Sequence, residues 1–357
     1  MKNKKILSII LIMMILLTTG CGSSSYIKDD SGKVVINEKT GQNLQKDILC
    51  RPSSDTEIYN LYEKYESQMK TKLSDLPECK NFSITSNKTN SLWQFLFVKP
   101  VAYLILKLGN VFHDMGATKA YLGISLMLIG LLIRVIILPF NIKTQKQSKM
   151  MQKAAPEIQK LEKKYAGRTD QESMMMKSQE TMNIYKKYKV SPFLSCLLAL
   201  IQLPIFFAFL QAIYKVPTIY EGEIFGWNLG TTPSVGIMTN HQYSFIILVV
   251  LIILTTYFSF KYSMSRTPAT GVAGNGASQM KTMLIVMTVF IGFASLTLPT
   301  AIALYWIVTY AFIIAQTFIM NLIDKKKENK ERQIKRDKKP IKDKLKLKEG
   351  MKYGKNN

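Results

Sequence analysis

The apolar residues of this 357-residue chain are gathered into long blocks instead of recurring at the period of an amphipathic helix or strand. A soluble chain spreads its apolar residues along many half-buried elements. A bilayer instead demands about 20 consecutive apolar residues to carry one helix across about 30 Å of hydrocarbon. Segments at about 119–140, 192–214, 243–260 and 283–323 meet that demand. The last is long enough for two spans, and Leu298-Pro299-Thr300 in its middle supplies a turn. The expected fold class is therefore all-α and membrane-embedded, with five transmembrane helices in residues 119–323.

Charge distribution sets the expected orientation. The formal net charge is +24, and it is as uneven as the apolar residues. Residues 141–190 carry 12 Lys+Arg against 5 Asp+Glu, 261–281 carry three basic residues and no acid, and the tail after Ile323 carries 15 basic against 6 acidic residues. The connection 216–240 holds Glu221 and Glu223 and no basic residue. One further stretch, 92–112 (LWQFLFVKPVAYLILKLGNVF), is apolar enough to span but is interrupted by Lys99, Pro100 and Lys107. If it crosses, every basic segment falls on the outer side. If residues 91–113 lie flat on the outer surface, anchored by Trp93 and the lysines, all three fall inside, as the positive-inside rule requires. The chain then sits in a bacterial cell membrane, multi-pass, with its mature N-terminus outside and its C-terminus cytoplasmic.

The first 20 residues read as a signal peptide. Lys2, Lys4 and Lys5 precede an apolar core, Ile6 to Leu17, too short to span comfortably, and Thr18-Thr19-Gly20-Cys21 follows. A small residue before Cys resembles a bacterial lipoprotein cleavage site, although Thr18 stands where Leu is usual. Cys21 would become the lipidated first residue; the alternative is an uncleaved anchor helix. Residues 22–90 are polar and expected outside the cell, with an amphipathic helix over 55–73. Cys50 and Cys79 flank it and could pair as a disulfide or remain two free thiols. Residues 141–190 read as a cytoplasmic helical hairpin. Met151, Ala154, Ile158, Leu161 and Tyr165 form a narrow stripe on the first arm, with Pro156 expected to kink or restart it. Ala166-Gly167-Arg168 turns the chain, and Thr169-Asp170-Gln171-Glu172 resembles a capping box. Met174, Met175, Met182, Tyr185 and Tyr188 are then the apolar core positions of the return helix. Residues 324–357 form a basic cytoplasmic tail.

One charge stands inside a span. Arg134 lies about seven residues from the inner end of its block, so its Cα sits roughly 10 Å inside the hydrocarbon boundary at 1.5 Å per residue. A central arginine costs on the order of 2.5–3.5 kcal/mol on insertion scales. No Asp or Glu occurs in any of the expected spans, so a wet, polar cavity open to the cytoplasm is the remaining solution. Gln316 is placed at the same depth in the last span and Gln202 deeper in the second. Thr255, Thr256 and Ser259 weigh less, because an intramembrane threonine usually bonds its own helix.

The runs IRVIILPFNIKTQKQSKMMQKAAPEIQKLEKKY, NIYKKYKVSPFLSCLLALIQLPIFFAFLQAIY and TLPTAIALYWIVTYAFIIAQ resemble the YidC/Oxa family of membrane protein insertases over about residues 90–323. The lipobox-like start resembles Gram-positive members. The resemblance implies five membrane helices around a hydrophilic groove open to the cytoplasm, with Arg134, Gln202 and Trp306 matching groove positions. Thr309-Tyr310 departs from the family's usual Ser-Asn, Ser191-Pro192 from its Asn-Pro, and the proline of its fourth span is missing. The function implied is insertion and folding of integral membrane proteins, alone or with the secretion channel. Partners would be nascent membrane proteins, the secretion translocon and ribosome through the hairpin and basic tail, and anionic lipids, with the insertase itself a monomer. No enzyme activity is expected: the chain lacks a phosphate-binding glycine loop, its cysteines and histidines lack metal-ligand spacing, and no cofactor is implied beyond the diacylglycerol and acyl lipid on Cys21. The competing readings are an anion-binding secondary transporter or channel, and a surface lipoprotein acting through residues 22–90.

Overall fold

Helix formation in this chain continues well beyond the apolar blocks that start it. In a computed structural model, which describes residues 25–86, 91–191, 193–264 and 276–353, helix α3 runs without a break from Tyr121 to Lys164. The elements before it are a two-stranded ribbon, β1 (Ile36–Asn37) and β2 (Gln42–Asn43), and helices α1 (Glu57–Lys64) and α2 (Lys99–Asp114). After α3 come α4 (Gln171–Lys187) and α5 (Phe193–Lys215), then a second ribbon, β3 (Glu223–Ile224) and β4 (Trp227–Asn228). Helices α6 (Pro233–Met238), α7 (Ser244–Met264), α8 (Gly276–Thr297) and α9 (Thr300–Tyr353) complete the chain. Among the described residues, Gln94–Asp114, Tyr121–Lys164, Ser244–Ser263 and Thr300–Ile334 are long and apolar enough to cross a membrane, and Leu284–Thr297 is a shorter apolar helix.

Pro139 and Pro156 both lie inside α3, so of the two outcomes expected at Pro156, a kink or a restart, the restart does not occur. A proline removes one N–H and crowds the preceding turn, but here its neighbours are anchored. Ala154, Ile158 and Leu161 are buried. Glu157 accepts hydrogen bonds from Lys187 Nζ at 2.6 Å and Tyr188 Oη at 2.8 Å, both from the α4 side. Lys164 Nζ likewise donates to Glu180 at 2.7 Å. These bonds hold both carboxyl groups below the ordinary glutamate range.

Two expectations for α4 need correction. Its N-cap is Asp170, whose Oδ2 accepts from the Ser173 N–H at 2.8 Å, not Thr169. Its methionines do not form a core. Met174, Met175, Met176 and Met182 are each 46–56% exposed, while Ile184, Tyr185 and Tyr188 take the half-buried positions toward α3. The stripe on α3 has the correct period, and of the expected α4 positions Tyr185 and Tyr188 meet it while the methionines do not.

The helix ends opposite these arms are tied by loop 216–232. The Glu223 N–H donates to the Lys119 carbonyl at 3.1 Å, and those of Thr300 and Ala301 donate to Thr231 and Leu229 at 3.1 and 2.9 Å. Gly123 lets Ile224 approach α3, since a Cβ there would stand 2.9 Å from the isoleucine side chain. Helix α2 packs on α3, where Ser125 Oγ donates to the Ile105 carbonyl at 2.6 Å. Pro100 sits near the start of α2, directly after a π-helical turn at Gln94–Val98.

Residues 25–86 form an ordered layer of short elements. Helix α1 is shorter than the 55–73 pattern suggests. It starts at the Thr56 cap and ends at Lys64, giving way to single turns at Glu66–Gln68 and Leu73–Asp75. The Leu73 N–H bonds Glu66 Oε1 at 2.7 Å, which pulls the chain off the helical path. Cys50 and Cys79 are bonded to each other and buried. Helix α9 spans two compact units, the first ending at Tyr310 and the second beginning at Ala311. Cys21 and the expected signal peptide lie outside the described residues.

Candidate functional site

Three helices of the first unit converge on Arg134. It leaves α3 nearly buried, 8% exposed, and its Nη1 donates to Gln202 Oε1 on α5 at 3.0 Å. The amide's other end, Gln202 Nε2, faces Tyr305 Oη on α9 at a long 3.4 Å. Tyr305 is 1% exposed and its ring stacks on Phe209 with centroids 4.2 Å apart. Gly130, one turn before Arg134, makes room for it, because a Cβ there would stand 3.1 Å from the ring.

The guanidinium is only partly satisfied. Its Nε is buried without a hydrogen-bond partner, and among the described residues it makes no ion pair. Tyr305 and Tyr310 lie within electrostatic reach of it. Tyr310 stands where the sequence departs from the Ser-Asn pattern, so the departure places a phenol beside the arginine. A buried cation held by a carboxamide keeps its full charge, and its remaining donors are available to an acidic visitor. Such a site can attract and hold an anionic group.

Of the residues singled out in the sequence, Arg134 and Gln202 meet directly. Trp306 is half-buried and stacks on Phe206 of α5, with centroids 5.9 Å apart. Gln316 belongs to the second unit, where it is buried with Nε2 unpartnered. Thr255 bonds the Leu251 carbonyl of its own helix at 2.7 Å. Thr256 does not follow that habit, being fully buried with Oγ1 unpartnered. Sequence reasoning passed over Tyr305 as a site residue and met Tyr310 only as a departure from the Ser-Asn pattern. A tyrosine in an apolar helix reads as an interfacial anchor, and the only signal was its adjacency to Trp306.

A cavity of about 570 Å³ also lies between residues 51–59 and 78–80 and the end of α2. Its Arg51 and Glu78 pair with each other at 2.8 Å, and His113 lies 3.8 Å from Asp114. Among the described residues no group of His, Cys, Asp or Glu could hold a metal ion.

Apolar helices meeting at a buried, carboxamide-held arginine define the class, a polytopic helical membrane protein with a polar site inside its span. Residues 113–329 match the family described as 60Kd inner membrane protein. The "Membrane protein insertase YidC" of Oceanobacillus iheyensis is 32% identical over 241 residues, 68% of this chain and 88% of that one. "Membrane protein insertase MisCA" of Bacillus subtilis is 34% identical over 237 residues, 66% and 81%. The Clostridium perfringens "Membrane protein insertase YidC" is 32% identical over 246 residues, 67% and 98%. A solved structure of an active YidC insertase, with its first transmembrane domain resolved, is 25% identical with a TM-score of 0.44; the match covers 73% of this chain and 51% of that one. The chain belongs to the YidC/Oxa family of membrane protein insertases.

Proposed function

We propose that this chain inserts integral membrane proteins into the bilayer through a hydrophilic groove built around Arg134. The observation that carries the proposal is that Arg134 is buried, held by Gln202 and without an ion-pair partner among the described residues. A short hydrophilic tail of a nascent protein, acidic in the best clients, enters from the cytoplasm and is drawn by the guanidinium. At about 4 Å the attraction is about 1 kcal/mol in water and about 4 kcal/mol at an effective dielectric of 20. A polar pocket partway across the bilayer shortens the apolar barrier for that tail. The client's own apolar helix then partitions into lipid, and this transfer drives the process without nucleotide hydrolysis.

In this reading the five spans surround the groove, residues 91–113 lie at the outer interface, and the 141–190 hairpin meets clients on the cytoplasmic side. The exposed methionines of α4 support that role, because Met adapts its shape to varied apolar partners. Cys21 carries the lipid anchor, and the tail from Asp324 onward binds anionic headgroups. The insertase works as a monomer, alone or beside the secretion channel.

The test follows a single-span client with an acidic outer tail during depletion of the protein. Insertion should fail, and insertion that proceeds undiminished sinks the proposal. Arg134→Lys should retain insertion of the acidic client and Arg134→Ala should lose it, with equal accumulation of both variants.

A further inference from the structure

Residues 25–86 lie outside the range matched to the family, 113–329, yet they grip the end of α5, the helix that presents Gln202 to Arg134. The last turn of any helix leaves carbonyl groups unpaired. Here the Leu49 N–H donates to the Lys215 carbonyl at 2.8 Å. Lys215 Nζ donates to Asp47 at 2.6 Å, with the two side chains only 16% and 28% exposed. The same carboxylate accepts from Gln94 Nε2 at 3.3 Å and faces Lys70 Nζ at 3.8 Å. One turn back, Gln211 Oε1 accepts from Trp93 Nε1 at 3.1 Å. Asp47 thus ties together the end of α5, the approach to α2 and the outer layer.

The layer is fastened elsewhere as well, so it can act as a fixed support. Gln42 Nε2 donates to the Gly230 carbonyl at 2.8 Å, and the Thr232 N–H to the Thr40 carbonyl at 2.9 Å. The Cys50–Cys79 bond closes it within three residues of Asp47. Lys215 stands 13 residues along the helix from Gln202, about 20 Å at 1.5 Å per residue. Pro204 sits two residues beyond Gln202 and removes one backbone bond from that stretch. The helix nevertheless continues through Pro204, so the end held by Asp47 and Leu49 is joined to Gln202 by continuous helix.

We propose that Asp47 is a positioning residue: through Lys215 it sets the axial height and rotation of α5, and so the placement of Gln202 against Arg134. The 25–86 layer is then a working part of the groove and not a separate surface module. The inference rests on the insertase reading for its functional consequence, while the positioning is measured without it.

The test compares the full chain in proteoliposomes with Asp47→Asn and with the conservative Asp47→Glu. Amide exchange over 205–216 is read by mass spectrometry, and insertion of the acidic-tailed client is read in parallel. Asp47→Asn should speed exchange at least about tenfold, as expected for breaking a partly buried pair, and slow insertion; Asp47→Glu, which keeps the negative charge facing Lys215 and Lys70, should recover both. If Asp47→Asn does not accumulate, Lys215→Gln carries the same test, because it leaves Gln94 and Lys70 on Asp47. Exchange that speeds up in Asp47→Asn and recovers in Asp47→Glu supports the positioning even if no client is inserted, so that failure counts against the insertase reading alone. Unchanged exchange, or no recovery in Asp47→Glu, overturns it.

Discussion

Replacing Gln202 with leucine keeps the side-chain volume and removes the acceptor of Arg134 Nη1, 3.0 Å away. It also removes the donor facing Tyr305 Oη at 3.4 Å. A hydrogen bond to a charged group contributes about 1.5–3 kcal/mol. The longer bond lies beyond the usual 2.7–3.2 Å range and adds under about 0.5 kcal/mol. Arg134 is 8% exposed and its Nε already lacks a partner, so little solvent stands ready to replace the amide. The expected loss is about 2–3 kcal/mol. Reversible unfolding in bicelles measures it, and a cycle with Tyr305→Phe should show coupling of no more than about 0.5 kcal/mol. A loss below about 0.5 kcal/mol for Gln202→Leu would refute the reasoning, because water and not Gln202 would then be holding the guanidinium.

Three further outcomes are expected. Serine at both Cys50 and Cys79 opens a loop of 29 residues' separation and should lower stability by up to about 3–4 kcal/mol on the chain-entropy account; a melting temperature indifferent to reductant would contradict it. Gly236→Ala places a Cβ 2.3 Å from the Phe245 ring, and overpacking of this kind costs about 1–3 kcal/mol, visible as a lower melting temperature. The contact between α3 and α4 should loosen in acid. Glu157 and Glu180 are held low by their lysine and tyrosine donors, so their contribution is complete above the ordinary glutamate pKa of about 4.3 and is lost as pH falls through the lowered values. Spin labels on the two arms should report a distance distribution that broadens as pH is lowered through those depressed values, and a distribution that stays unchanged once both carboxyl groups are protonated would refute the pairing.

How far the site could be read from sequence depends on the range of each interaction. Arg134 is conspicuous from hydropathy alone, because a charge within an apolar block needs no partner to be noticed. Gln202 is visible for the same reason. Tyr305 is not, since a tyrosine in a helix is unremarkable until Gly130 and Phe209 show that it is packed inward. The methionines of α4 mislead in the opposite sense. Their spacing is helical, but spacing names a face without saying which neighbour covers it, and Ile184, Tyr185 and Tyr188 took the inner side. Pro156 does not restart the helix, because the burial of Ala154 and Ile158 outweighs proline's local cost.

By itself, then, the sequence determined that this chain lives in a membrane, where its apolar blocks lie and which charge cannot rest in lipid. Those properties follow from local composition and the energy of transferring it between water and hydrocarbon. Only the tertiary structure decided what holds that charge and what holds the holder. Arg134 meets Gln202 across 68 residues, Gln202 meets Tyr305 across 103, and Asp47 meets Lys215 across 168. No periodicity reaches that far, because such pairs exist only once the helices have chosen their faces and packed.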